Sequence, residues 1–327
     1  MGRKRRIFTV YSQFVSLSRV SCAIINGLMQ IPNQFGRMVF LNHHVKTALI
    51  TDSACDLSDE QLERHRIRMI PLRIVCKHAE YRDRVELSPD KIYEMMDQEL
   101  PKTSLPLAED IHATYMKLIE EGYTDVVHIC ISAAMSGTWN MVRILADEYK
   151  DRLNIRVVDS KTLSAGLGAM VLAAARALED GADPDTAVQA AQKVRGSQLG
   201  MFVIRTLEYL RKGGRIGLVE GVMGSLLQIK PIIFVNNDGI YETLAKARGY
   251  KAAVEQMIQE AVRRFGKKKI DLSIVHGQAP EDAKTLLEKL QQVLNVASSI
   301  IAPVSPVLAI HSGRGLLGII AHTVEER

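Results

Sequence analysis

The chain predicts an α/β protein: a doubly wound, mostly parallel sheet domain followed by a second α+β domain with a mixed or antiparallel sheet. Three observations carry this. Continuous apolar runs such as Val126, Val127, Ile129, Cys130 and Ile131 suit parallel strands buried on both faces. Over residues 47–200 such runs alternate with segments of helical apolar spacing. From Met201 the pattern turns to a hairpin and strand–helix units joined by basic, glycine-rich turns. The expected divisions are a leader at 1–45, a first domain at 46–200 and a second at 201–325.

At 327 residues with 47% apolar content, the chain has ample material for such cores. Its formal charge of +5 is misleading. Residues 1–37 hold six basic side chains (Arg3, Lys4, Arg5, Arg6, Arg19, Arg37) and no acid, which leaves −1 for the remainder. A near-neutral body does not support a nucleic-acid partner. The leader lacks a clean apolar stretch and a small-residue cleavage site, so it does not read as a signal peptide. It reads as a disordered or artefactual extension, with Met38 as an alternative start and a membrane-surface role for Lys4-Arg5-Arg6 as the competing view. No apolar run is long enough for a spanning helix. Cys22, Cys55, Cys76 and Cys130 form no CxxC pair, which suits a reducing cytoplasm and argues against disulfides or zinc.

In order, a strand is expected at 47–51, then Asp52-Ser53 and a helix at 58–65. An apolar strand at 68–76 and an irregular 81–87 follow. A helix then starts at Ser88-Pro89, with Ile92, Met95, Met96 and Leu100 as its stripe. Residues 101–106 (PKTSLP) read as a stiff loop presenting Thr103 and Ser104 between two prolines, ahead of a helix at 110–121. The stretch 126–142 (VVHICISAAMSGTWNMV) is a strand, a turn of small and hydroxylic residues, and a helix from Trp139. Such a turn offers hydroxyls and free N–H groups to an anion. The alternative is an ordinary N-cap by Ser136 or Thr138. A strand at 155–158 ends in Asp159-Ser160. Helices are expected at 167–178 and 185–194.

In a doubly wound sheet ligands bind beyond the carboxyl ends of the strands. Asp52-Ser53, Thr103-Ser104, Ser132 to Thr138 and Asp159-Ser160 would gather there. Beyond Met201 come a strand and helix, the turn Lys212-Gly213-Gly214-Arg215, and a hairpin turning at Asn237-Asp238-Gly239. Helices at 251–265 and 280–293 flank a strand at 269–275. Two last short strands are expected near 299–302 and 307–310, which puts His311 at a strand end. His43-His44 falls in the leader and is expected to face solvent. Phosphate-loop, nucleophile-elbow and metal-ligand spacings are missing, which weakens nucleotide, esterase and metalloenzyme readings.

Taken together, ITDSACDL (50–57), KTSLP (102–106), ISAAMSGT (131–138), VVDS (157–160), RTLEYLRKGGRIG (205–217) and HSGRGLLG (311–318) resemble the DegV family of bacterial lipid-binding proteins. The resemblance runs over residues 46–323. It implies a cytoplasmic two-domain protein, itself no enzyme, that encloses one long-chain fatty acid between its domains and needs no cofactor or metal. It further implies that Thr103 and Ser136 contact the carboxylate, with Ser104, Ser132, Gly137, Thr138 and His311 nearby. The acid would be presented to the ATP-binding catalytic subunit of a fatty acid kinase, with Arg205 and Arg248 as headgroup or docking residues. Two positions depart from the family pattern. Ala133 stands where a second serine is common, and Arg314 interrupts the usual Gly-Pro-Gly. Competing functions are a Ser136/His311 hydrolase or phosphotransferase, and a lipid-sensing module with no kinase partner.

Overall fold

The computed structural model describes residues 45–222 and 229–324, together with the strands Ile24–Ile25, Leu28–Pro32 and Met38–Asn42. Those three strands pair antiparallel as a small sheet of their own, where the sequence had suggested no elements. Lys4-Arg5-Arg6, Cys22 and His43-His44 lie outside the described residues. From Lys46 onward the described chain packs as one compact unit.

The first sheet contains β1 (Thr47–Asp52) and β2 (Ile67–Ile70). Beside them a second, three-stranded antiparallel sheet holds β3 (Arg73–Val75), β4 (Glu80–Arg82) and β5 (Lys102–Ser104), in the order β4-β3-β5. The first sheet is completed by β6 (Asp125–Cys130) and β7 (Asn154–Asp159), giving the parallel order β7-β6-β1-β2. β6 is buried at every position, as its Val126, Val127, Ile129 and Cys130 favour, and Asp125 and His128 are buried with them. Helices α1 (Asp59–Arg64) and α2 (Pro89–Met96) follow β1 and β4. On one face Ile50, Val126 and Cys130 pack against α3 (Ala108–Glu120) and α4 (Thr138–Asp147). On the other, Leu49, Val127 and Ile129 meet α5 (Ala165–Glu179) and α6 (Pro184–Ser197). The alternation of faces along a strand makes the sheet doubly wound.

The six-stranded second sheet begins with β8 (Leu199–Val203), which leads into α7 (Glu208–Lys212). It continues through β9 (Ile229–Val235), β10 (Tyr241–Arg248), α8 (Tyr250–Phe265), β11 (Lys269–His276), α9 (Pro280–Val293) and β12 (Asn295–Pro303). It ends with α10 (Pro306–Ser312) and β13 (Leu317–Thr323). The order is β10-β9-β8-β13-β11-β12, with one parallel pair, β11–β12. A continuous apolar cluster joins Ile129 and Leu163 of the first half to Phe202, Val275 and Ile320 of the second.

Four local expectations are corrected. The strand expected at 68–76 is broken in two, because Pro71 lacks an N–H and Leu72 gives its own to Ser53 Oγ at 3.0 Å. The irregular 81–87 begins inside β4. The stiff loop at 101–106 is in part β5, with Thr103 opposite Ile74. The expected strand at 307–310 is helix α10, and the last strand is β13. Pro306 starts that helix and Gly313, at φ +72°, closes it. A run as short as Val307 to Ile310 has no periodicity that separates helix from strand. No helix among the described residues is long and apolar enough to cross a membrane.

Candidate functional site

A cavity lies where the first sheet's loops meet the inner face of the second sheet. It offers about 260 Å³ to the centres of water-sized molecules, where roughly 10–15 Å³ holds one water. Leu72, Leu163, Phe202, Val275, Val307 and Leu308 are among its apolar walls. Strand alternation aims Gly200, Phe202, Gly318 and Ile320 at it from β8 and β13. The apolar walls suit a hydrocarbon chain, and a few polar groups are placed to orient it.

Those polar groups gather where β5, the loop before α4, the Gly213-Gly214 turn and the end of α10 meet. Thr103, Ser104, Ser136, Arg215 and His311 all line the cavity there. Thr103 Oγ1 lies 2.9 Å from His311 Nε2. Ser136 Oγ sits 2.8 Å from Thr138 Oγ1 and accepts from Thr138 N at 3.3 Å, so the capping role and the cavity position belong to one hydroxyl. Arg215 is held by two carbonyls: its Nε donates to Met135 O at 3.3 Å and its Nη1 to Gly213 O at 2.6 Å. Its Nη2 has no protein partner among the described residues.

Burial first, and the Arg215 charge second, push the His311 imidazole down to about 4, so it is neutral near pH 7. Its Nδ1 is buried without a partner and faces Gly213, where even a Cβ would come within 2.1 Å of it. A proton on that nitrogen would be a buried, unsatisfied donor. The favoured tautomer therefore carries the proton on Nε2 and donates to Thr103 Oγ1. The Thr103 proton is then left free for the cavity, and the bare Nδ1 lone pair sits in the field of Arg215. Opposite, α10 is pinned by two buried acids. Asp56 accepts Ser305 N at 2.9 Å and the Ser164 hydroxyl at 2.5 Å, and Asp83 accepts Val307 N at 3.2 Å.

Other expected site residues are engaged elsewhere. Ser132 Oγ donates to Gly239 O at 2.9 Å, tying the turn to the β9–β10 hairpin rather than lining the cavity. Gly137 lies outside the lining, over Leu105, and Thr138 is a buried first residue of α4. Asp52 is buried and accepts Ile131 N at 2.6 Å; Asp159 accepts Ala133 N at 3.0 Å and Lys161 N at 2.9 Å. Both carboxylates order the loops instead of facing a ligand. Ala133 is exposed.

Arg205 stacks 3.6 Å over the Tyr250 ring and pairs with Asp282 at 3.6 Å, and Arg248 is the exposed last residue of β10. Neither reaches the cavity. Arg314 grips Asp97 at 2.6 and 2.8 Å and Tyr93 O at 2.9 Å, on α2. Residues that the sequence reading had not singled out for the site include Arg215, Thr162, Ser164 and Tyr241. Arg215 had a signal, a cation in a Gly-Gly turn. The other three owe their position to tertiary packing.

These features define a class: an α/β protein whose two larger sheets close over an apolar pocket with a hydroxyl- and guanidinium-bearing end. The family model described as "Uncharacterised protein, DegV family" matches residues 46–324, and the chain belongs to that family. A DegV domain-containing protein of Clostridium acetobutylicum is 37% identical over 275 residues, covering 84% of this chain and 98% of that protein. Among solved structures, a DegV family protein from Thermus thermophilus, described for its fatty acid binding, gives a TM-score of 0.79 at 31% identity. That match covers 85% of this chain and 100% of the other. A protein from Eubacterium ventriosum described as stearic-acid-binding gives 0.78 at 27% identity, covering 85% and 98%.

Proposed function

We propose that this protein binds a single long-chain fatty acid, with its carboxylate at Thr103 and Ser136, and presents it to a kinase catalytic subunit that phosphorylates it. The carrying observation is a cavity that joins apolar walls to Thr103, Ser136, Arg215 and His311. Burying about 15 methylenes at ~0.8 kcal/mol each yields roughly 12 kcal/mol gross, from which ordering costs are subtracted. A carboxylate buried without partners would forfeit several kcal/mol of that. The Thr103 and Ser136 hydroxyls supply hydrogen bonds, and Arg215 adds charge without an acid in the lining to compete for it. The fatty acid binding of relatives at 27–31% identity supports the same reading.

The competing hydrolase would need Ser136 activated by His311. His311 instead pairs with Thr103, and Ser136 with Thr138, so the geometry does not favour it. In the presentation reading, Arg205 and Arg248 are the candidate docking residues. The test is extraction of the purified protein and mass spectrometry, followed by addition of ATP and a fatty acid kinase catalytic subunit. A co-purifying long-chain acid converted to acyl-phosphate is the expected result. Lipid-free protein would remove the binding role. Bound lipid that yields no acyl-phosphate would leave a lipid-sensing module instead.

A further inference from the structure

A second, smaller hollow of about 130 Å³ lies on the same face of the second sheet as the acyl cavity. The two share strands and divide them in sequence. On β13, Gly318 and Ile320 line the large cavity and His322 the small one; on β11, Val275 lines the large and Ser273 the small. On the chain entering α5, Ser164 faces the large cavity and Ala165 the small one. Asp56 lines the small hollow and bonds both Ser164 and Ser305, at the end of α10 away from His311. The hollows therefore lie end to end, the second beyond the tail end of the first. Ile320, 7% exposed, is the last residue of β13 to line the large cavity before His322 lines the small one.

Building on the fatty-acid reading above, we propose that Ile320 is the stop that sets the length of acyl chain this protein accepts, with Gly200 beside it keeping the last stretch open. Gly200 is paired with Ile320 across the β8–β13 ladder. A Cβ placed on Gly200 would meet only Ile320 Cγ1, at 3.8 Å, an ordinary contact, so a larger side chain there projects into the cavity without displacing backbone. Gly318, the other glycine facing the cavity from this pair of strands, lacks that freedom: a Cβ would come within 2.7 Å of Val275 Cγ2. Close packing makes the trade direct, since carbon added at Gly200 excludes ligand carbon and carbon removed at Ile320 admits it. Behind Ile320 the small hollow supplies ready space, walled by Ala165, Ala169 and Leu172 of α5.

The experiment measures binding of the saturated acids from lauric to behenic by the native full chain and by Gly200→Leu and Ile320→Ala. Gly200→Leu moves the preferred length down by one or more steps of the series, and Ile320→Ala moves it up. An unchanged optimum, or a uniform loss across the series, overturns the proposal. If Ile320→Ala fails to fold, the Gly200→Leu profile decides alone. A native protein that binds no acid of any length defeats the fatty-acid reading itself, before the variants are compared.

Discussion

Thr103 Oγ1 and His311 Nε2, 208 residues apart in the chain, lie 2.9 Å from each other at the polar end of the cavity. The contact sets the direction of the threonine proton. His311, neutral and with Nδ1 walled off by Gly213, donates from Nε2, so the Thr103 hydroxyl proton is left free, and in the proposed function it goes to the carboxylate. Thr103→Ala is expected to weaken fatty acid binding by ~1.5–3 kcal/mol, roughly 10- to 150-fold in Kd. Thr103→Ser keeps most of the affinity, and Thr103→Ala with Ser136→Ala abolishes retention on purification. Lipid mass spectrometry of the double variant reads this directly, and full occupancy there would remove both residues from the carboxylate site.

Arg215 is the cation of the lining, and its charge should appear as salt sensitivity. Arg215→Met is expected to lower affinity about tenfold at low ionic strength and to flatten the dependence of Kd on salt. It should also relieve part of the depression of His311, visible as an upward shift of that imidazole in an NMR titration.

Ala133, the position that the family resemblance marks as a departure, is exposed and outside the cavity, and its backbone N–H donates to Asp159. Ala133→Ser should leave fatty acid affinity within twofold of native, roughly the 0.5 kcal/mol scatter of surface substitutions. A tenfold gain in a titration would show that this loop reaches the ligand after all.

Burial holds His128 down to about 3, with its Nδ1 2.9 Å from the Tyr115 hydroxyl and its Nε2 unpartnered. The unfolded imidazole takes its proton near pH 6.5, well before the folded one. Stability from this group is thus complete above that pH and falls as the pH drops toward 3. Between pH 7.5 and pH 5 the loss amounts to about 2 kcal/mol. Asp52 and Asp83, raised by burial to about 7, act in the opposite sense and lose stability as pH rises through that value. The paired change His128→Leu with Tyr115→Phe removes only the histidine contribution, since no orphan hydroxyl is left. On going from pH 7.5 to pH 5 its urea unfolding free energy should end about 2 kcal/mol higher, relative to its own value at pH 7.5, than that of the native protein. Equal changes would place the acid sensitivity elsewhere.

Local pattern carried most of the architecture. A mostly apolar run such as Val126 to Ile131, broken only by His128, has few places to go except a strand covered on both faces. Ser58, Ser88 and Asp183 each mark a helix start by accepting a backbone N–H of the first turn. The motifs around Thr103, Ser136 and His311 singled out the residues at the polar end, because hydroxyls between prolines or ahead of a helix are visible in one dimension. Tertiary structure decided the rest. Val307 to Ile310 became helix because Asp56 and Asp83, more than 200 residues earlier, accept its first N–H groups. The Ser132 hydroxyl went to a hairpin carbonyl, Arg314 to α2 and Arg205 to Tyr250, while Arg215 was turned inward by the carbonyls of Met135 and Gly213. Sequence determines which groups exist and which element carries each. Where a flexible side chain ends depends on the partner that another part of the chain brings within 3 Å, and a one-dimensional pattern holds no distance.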